Sequence, residues 1–443
     1  MFNIVDKIAS FNILSSKRRR MTTISSSSYN LNLHLTYCTI WTIQQSGRGL
    51  LAPEQLTMAG LMPRSFCSTK TCLKLPWRRL YSSATKEQTI TAYEQLVGNT
   101  RLVRLAGPSE KTGCEIYGKC EWENPGSSIK DRAALWMVKD AEKSGKLVRG
   151  EKGLIVEGTA GNTGIGLALC GQAFGYDVVI CLADTQSPEK KNALRQAGAQ
   201  ILEVPAVPFS DPNNYVHVAK RLSDVIKKSG SYDKVFYANQ WDNLSNRQAH
   251  IDGTGPEIWQ QLDGKLDAFS CAAGTGGTIT GVGTYLRGMD KNIKIALTDP
   301  EGAALIRYYT EGKLRSVGSS ISEGIGQGRI TGNMGSDDFR PDMFFEVLDQ
   351  EMIPILQSLQ QMEGLAIGGS AGVNVAGAIR VAKELGPGHT IVTVLCDRAD
   401  RYATKLYNSD FLNSRGLPVP KWVLDNAGTS GLMKQLLEDE VLQ

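Results

Sequence analysis

Asn124-Pro125-Gly126-Ser127-Ser128-Ile129-Lys130-Asp131-Arg132 places a lysine in a Gly/Ser-rich turn that runs straight into a helical pattern over 133–143. Such a lysine has two readings. It is a solvated cation at a helix start, or it is an amine held near a helix N-terminus, ready to form a Schiff base with an aldehyde. Taken alone the first is the commoner, because most lysines are surface residues. Three glycine-rich stretches downstream reverse that preference.

Outward from this turn, apolar runs alternate with helical periodicity. Strands are expected at 101–105, 115–120, 153–157, 177–182, 200–204, 235–238, 268–272, 294–299 and 390–395. Helices are expected at 133–143, 164–174, 188–197, 216–228 and 373–385. Strands alternating with helices imply βαβ units and parallel sheets. The expected fold class is therefore α/β.

Glu157-Gly158-Thr159-Ala160-Gly161-Asn162-Thr163-Gly164-Ile165-Gly166 follows the third of these strands. A helix starting near Asn162 leaves free N–H groups that favour an anion, and Thr159 and Thr163 add hydroxyls. A carboxylate suits this loop. Gly274-Thr275-Gly276-Gly277-Thr278 follows the apolar run at 268–273. Its three glycines let the backbone wrap an oxyanion and its two threonines donate. It lacks the Gly-Lys-Ser/Thr ending of a nucleotide P-loop, so the phosphate belongs to something smaller than a nucleoside triphosphate. In Gly368-Gly369-Ser370-Ala371-Gly372 the serine lies in a Gly-rich turn before a helix, where by itself it reads as an N-cap.

Composition limits what the chain does. Hydrophobic residues make up 41% and charged residues 21% of 443, the profile of a soluble globular protein with room for two domains. The net charge of +4 is concentrated at the N-terminus. Residues 1–85 are Ser-rich, dense in Lys and Arg, and hold only Asp6 and Glu54 as acids, so the remainder is mildly acidic. No nucleic-acid footprint is left there. Nine cysteines without CxxC pairs argue against a disulfide framework, and four histidines show no metal-ligand spacing, so no metal is expected. Segment 1–88 has the composition of an organelle-targeting presequence, with mitochondrial import favoured over plastid import. Met21, after Arg18-Arg19-Arg20, is an alternative start. A membrane tether through the leader is a further reading. The apolar stretch 31–43 is interrupted by Asn32, His34 and Thr36 and falls short of the roughly 18 residues a span needs.

In this order and spacing the four motifs resemble those of the fold-type II pyridoxal-phosphate enzymes, and within them the cysteine synthase and cystathionine β-synthase group. The resemblance covers 93–411. Leu96-Val97-Gly98-Asn99-Thr100-Arg101-Leu102, Glu323-Gly324-Ile325-Gly326-Gln327-Gly328 and 397–408 support it. Ser127-Ser128 and Arg329-Ile330-Thr331 make the chain similar to the fungal mitochondrial-type members.

The resemblance implies two open, twisted, mostly parallel sheets flanked by helices, as in the tryptophan synthase β fold. It divides the chain into the leader (1–88), an N-terminal α/β domain with Lys130 and the carboxylate loop (89–245), a C-terminal α/β domain with the phosphate cup and Ser370 (246–415), and a tail (416–443). The first strands have the option of joining the other sheet. It implies pyridoxal 5′-phosphate as cofactor and a homodimer. By the same resemblance Lys130 carries the cofactor and acts as base at Cα. Asn162 binds the ring oxygen, Gly274, Thr275, Gly276, Gly277 and Thr278 the phosphate, and Ser370 the ring nitrogen. Thr159, Ala160, Gly161 and Thr163 take the substrate carboxylate. A neutral serine at the ring nitrogen leaves it largely unprotonated, which suits loss of a β-substituent over transamination.

The implied reaction is β-replacement: O-acetylserine loses acetate and sulfide adds to give cysteine. Condensation of serine with homocysteine is the alternative. Ala160 stands where the group's Thr-Ser-Gly-Asn-Thr loop has serine. It is expected to lower the rate or to alter the preferred β-substituent, and it keeps open a cofactor-retaining protein with weak or no catalysis.

Overall fold

The computed structural model describes residues 90–159, 161–335 and 339–419. The chain divides into two units, 1–85 and 86–443, and all the described residues belong to the second. The leader, Ala160, residues 336–338 and the tail beyond 419 lie outside the described residues.

Ten strands among the described residues form two sheets. The larger has six strands in the order β1-β2-β10-β7-β8-β9. These are β1 (Leu102–Arg104), β2 (Glu115–Cys120), β7 (Ala268–Cys271), β8 (Lys294–Pro300), β9 (Met343–Val347) and β10 (Thr390–Leu395). The smaller has four strands in the order β5-β4-β3-β6. These are β3 (Gly153–Gly158), β4 (Asp177–Ala183), β5 (Gln200–Val204) and β6 (Lys234–Tyr237). Every neighbouring pair is parallel except β1 with β2. The α/β class is thus observed, and β1 and β2 lie in the six-stranded sheet with strands that follow residue 246.

Burial explains the strand sequences. Gly-Leu-Ile-Val-Glu-Gly of β3 is buried at every position. A strand covered on both faces reads as a continuous apolar run, not an alternation. Helices α1 (Lys130–Lys143), α2 (Asn162–Phe174), α3 (Pro188–Gln196) and α4 (Tyr215–Ser229) accompany the smaller sheet. Leu135, Val138, Leu167 and Ala168 pack with Ile155, Val178 and Ile180 into one core on it. Helices α5 (Gly255–Gln261), α6 (Gly277–Met289), α7 (Asp349–Glu363) and α8 (Gly369–Leu385) accompany the larger sheet. Its two faces carry separate cores, one around Ile353, Val375 and Ile391, the other around Ile279, Ile295 and Val392.

Three helices begin earlier than their periodicity predicts. α1 starts at Lys130, α2 at Asn162 and α8 at Gly369, because first-turn residues need not follow the apolar spacing from which a helix start is read. Ser370 is therefore inside the first turn of α8, not in a turn before it. Strand β9 and helices α5, α6 and α7 have no counterpart among the ranges expected from sequence: β9 is five residues long, and Pro354 inside α7 reads as a breaker.

The lysine turn, the loop 159–163, the Gly/Thr stretch 274–278 and the segment 396–402 each follow the carboxyl end of a strand: β2, β3, β7 and β10 respectively. Ligands of open parallel sheets bind at that edge.

Candidate active site

The lysine turn is held from within and from β10. Asp131 accepts from the N–H of Gly126 at 2.9 Å, the N–H of Ser128 at 3.3 Å and the hydroxyl of Tyr93 at 3.1 Å. Burial pushes the Asp131 carboxyl up to about 6, against the pull of those three donors. Ser127 takes a left-handed φ of 56° at the bend. Ile129 donates its N–H to the carbonyl of Cys396 at 3.1 Å, which fixes the turn to the end of β10. Lys130, first residue of α1, faces a cleft that it lines with Cys271, Cys396 and the stretch 274–278.

Gly274, Thr275, Gly276, Gly277 and Thr278 form the opposite wall. Gly276 has φ 84°, and a Cβ there would fall 1.9 Å from Met334 Cγ. A Cβ on Gly274 would meet the Gly324 carbonyl at 2.4 Å. α6 starts at Gly277 without a side-chain cap, so its first-turn N–H groups are open to an anion. Thr275 Oγ1 accepts from Asn246 Nδ2 at 2.8 Å, and Thr331 Oγ1 donates to the Thr275 carbonyl at 2.6 Å.

His250, an ordinary histidine by its sequence context, braces this wall. The helix 245–261 passes through a π turn, His250–Thr254, between two α segments. That turn sets the imidazole between Thr254 Oγ1 at 2.9 Å and Thr278 Oγ1 at 3.2 Å. Burial, then the positive charges of Arg132 and Lys130, hold its pKa well below the usual value, so the ring is neutral.

The loop after β3 is tied through Asn162 to the segment after β10, and through Arg401 to the lysine turn. Thr163 Oγ1 donates to Gln240 Oε1, and the Gly161 N–H donates to Thr159 Oγ1 at 3.3 Å. α2 has no side-chain cap at Gly161, which again leaves first-turn N–H groups open. Asn162 donates through Nδ2 to Asp397 Oδ2 at 2.7 Å and accepts through Oδ1 from Arg401. Ser370 is buried, and its hydroxyl meets the thiol of Cys396, which lines the cleft beside Lys130. Lys130, the 274–278 wall, the 159–163 loop and Ser370 thus come from four segments of the chain, the 159–163 loop following a strand of the smaller sheet and the lysine turn and the 274–278 wall following strands of the larger one. Gln240, His250, Asp397 and Arg401 join them although no motif marks them.

A lysine at a helix start that shares a cleft with a glycine–threonine stretch is an arrangement suited to a phosphorylated aldehyde cofactor. A family described as pyridoxal-phosphate dependent enzyme matches residues 93–397, and the chain belongs to it. Cysteine synthase 1 of Neurospora crassa is 48% identical over 324 residues, covering 72% of this chain and 84% of that protein. Cysteine synthase 1 of Emericella nidulans is 46% identical over 337 residues, 75% of this chain and 89% of that protein. A Saccharomyces cerevisiae protein named "Putative mitochondrial cysteine synthase" is 39% identical over 326 residues, 71% of this chain and 83% of its own.

The cofactor is pyridoxal 5′-phosphate, and the residues present fit it. Gly274 and Gly276 let the loop pack against Gly324 and Met334 where a Cβ has no room, α6 offers uncapped N–H groups, and Lys130 lines the same cleft.

Proposed function

We propose that this protein makes L-cysteine from O-acetyl-L-serine and sulfide on pyridoxal phosphate carried by Lys130. The observation that carries the reading is the shared cleft of Lys130 and the 274–278 cup, with the uncapped start of α2 beside it. Thr275, Thr278 and the backbone of 274–278 would hold the phosphate. Asn162 would bind the ring oxygen and Ser370 the ring nitrogen. Thr159, Gly161, Thr163 and the backbone at Ala160 would hold the substrate carboxylate.

When bound, the cofactor supplies an electron sink for the bonds at Cα. The Nζ of Lys130 removes the Cα proton of the bound amino acid. Acetate then leaves from Cβ, hydrosulfide adds there, and Lys130 returns the proton to Cα. The atoms balance: O-acetylserine and hydrosulfide give cysteine and acetate. A neutral Ser370 hydroxyl suits this β-replacement, because it leaves the ring nitrogen without a full positive charge. The basic, acid-poor leader and the name of the yeast relative support mitochondrial import. We take the protein to act as a homodimer with 89–245 and 246–415 as its two lobes, the first strands β1 and β2 joining the sheet of the second. A tether through the leader is the alternative to a free matrix form. No helix among the described residues is long and apolar enough to cross a membrane.

The test is steady-state assay of the purified protein with O-acetylserine or serine against sulfide or homocysteine. Cysteine from O-acetylserine and sulfide, abolished in Lys130→Ala together with the visible absorbance of the bound cofactor, is the expected result. Product only from serine and homocysteine would reassign it as a cystathionine synthase. A visible band without turnover of any pair would mark a cofactor-retaining protein in which Ala160 has removed the chemistry.

A further inference from the structure

We propose that Arg401, with Asp397, is a positioning residue for the cofactor: it fixes the amide of Asn162 so that an N–H of Nδ2, not the carbonyl oxygen, is turned to the ring oxygen. This rests on the role proposed above for Asn162. Nothing in the four motifs points to Arg401, which lies 239 residues from Asn162 in sequence.

A primary amide is nearly symmetric in shape, so its orientation is set by what its two ends meet. Here both ends are charged. The guanidinium of Arg401 donates to Asn162 Oδ1, and the carboxylate of Asp397 accepts from Asn162 Nδ2 at 2.7 Å. A flipped amide would set N–H groups against a guanidinium and an oxygen against a carboxylate, so one orientation is enforced. Nδ2 carries two protons and Asp397 takes one. The second N–H is left for a ligand in the cleft.

The two charged residues are themselves fixed. Asp397 is buried, and its Oδ2 also accepts from the hydroxyl of Tyr402 at 2.7 Å. Its backbone pairs with Ser128 of the lysine turn and accepts from the N–H of Gly368 at 3.1 Å. Arg401 reaches from the short turn Ala399–Tyr402 and donates with its other arm to the carbonyl of Gly126. One guanidinium therefore joins the turn that presents Lys130 to the residue that begins α2. A planar fork with two donors serves two acceptors at once, which a lysine ammonium on a flexible stem does less well. A donor held toward the ring oxygen favours its ionised form.

The experiment compares the absorbance of full-length holoprotein from about pH 6 to 9 in wild type, Arg401→Lys, Arg401→Ala, Asn162→Ala and the Asn162→Ala/Arg401→Ala double variant. Arg401→Ala is expected to shift the ratio of visible to near-ultraviolet cofactor bands toward the ultraviolet by about tenfold, the usual scale for losing an outer partner of a ligating side chain. Arg401→Lys should recover part of it. The shift should be absent when Arg401→Ala is added to Asn162→Ala, because a residue acting only through another is non-additive with it. An unchanged band ratio in Arg401→Ala, or fully additive shifts in the double variant, overturns the proposal. If Arg401→Ala does not fold, Arg401→Lys is read against the same criteria. Failure of the functional reading itself looks different: a wild-type protein with no visible band, or a Lys130→Ala variant that keeps one.

Discussion

Glu157 carries an ionisable group where water does not reach. Its carboxyl is buried near the end of β3, two residues before Thr159, where the loop begins. Oε2 accepts from the Gln240 N–H at 3.4 Å, and Oε1 has no partner. Burial raises its pKa from 4.5 to about 8. The folded protein therefore holds this proton more tightly than the unfolded chain does. The stability this contributes is full below about pH 4.5 and is lost as the pH rises toward about 8. Glu157→Gln keeps the site neutral at every pH. Chemical denaturation should show wild type losing stability over this interval while Glu157→Gln holds level. Parallel curves would mean that the carboxyl is already ionised in the folded protein. The same comparison bears on the loop, since a proton on Glu157 keeps negative charge away from the substrate carboxylate proposed to bind at Thr159 and Thr163.

At the scale of elements, α1 presents Lys130 because its other face is anchored by charge. Arg132 is 1% exposed and Lys119 of β2 is fully buried. Arg132 pairs with Glu121 at 2.7 Å and with Glu257 of α5 at 2.7 Å, and Lys119 pairs with the same Glu257 at 2.7 Å. Two cations and two anions thus join β2, α1 and α5 across both lobes. Removing one partner strands charge in a place that cannot hydrate it, and Glu257→Gln should cost about 3 kcal/mol in urea denaturation. A loss below about 0.5 kcal/mol would mean that water or Glu121 compensates fully. Desolvation acts to raise the Glu257 carboxyl, but Arg132 and Lys119 outweigh it and hold it at about 2. The stability it contributes is therefore complete above pH 4.5 and lost as the pH falls toward about 2. From sequence, Asp131 and Arg132 read only as the polar start of a helix. Charge type is legible locally, but burial depends on segments more than a hundred residues away.

For the whole molecule, the segment between β8 and β9 links the two sheets beside the cleft. Glu323 takes Lys190 of α3 on one side and Lys405 on the other. Arg329 stacks on Phe209 at 4.1 Å and Trp241 at 4.8 Å, rings carried by loops after β5 and β6. These contacts hold the four-stranded lobe to a loop whose Gly326 N–H reaches the Ala273 carbonyl at 3.0 Å, next to the phosphate cup. Glu323→Gln removes the charge that both lysines share. Amide exchange in α3 should accelerate by a few fold, in line with a partly buried pair worth up to ~1 kcal/mol, while exchange in α8 is unchanged. Equal acceleration in both helices would point to global destabilisation instead of a local tie between lobes.

Two kinds of information are separable here. The amino-acid sequence by itself determined the chemistry and the class. Glycines where a Cβ has no room, threonines beside them, a lysine entering a helix and apolar runs of strand length are all local, and local spacing is what a linear pattern records. Only the tertiary structure decided which groups meet. Asn162 and Asp397 are 235 residues apart, Arg401 and Gly126 are 275 apart, and His250 reaches Thr278 through a π turn. Such pairings come from parallel strands being laid side by side out of chain order, β2 beside β10 and β10 beside β7. Crossover connections bring carboxyl ends of distant strands to one edge, and a side chain's partner there is fixed by sheet order, a property that no short stretch of sequence carries.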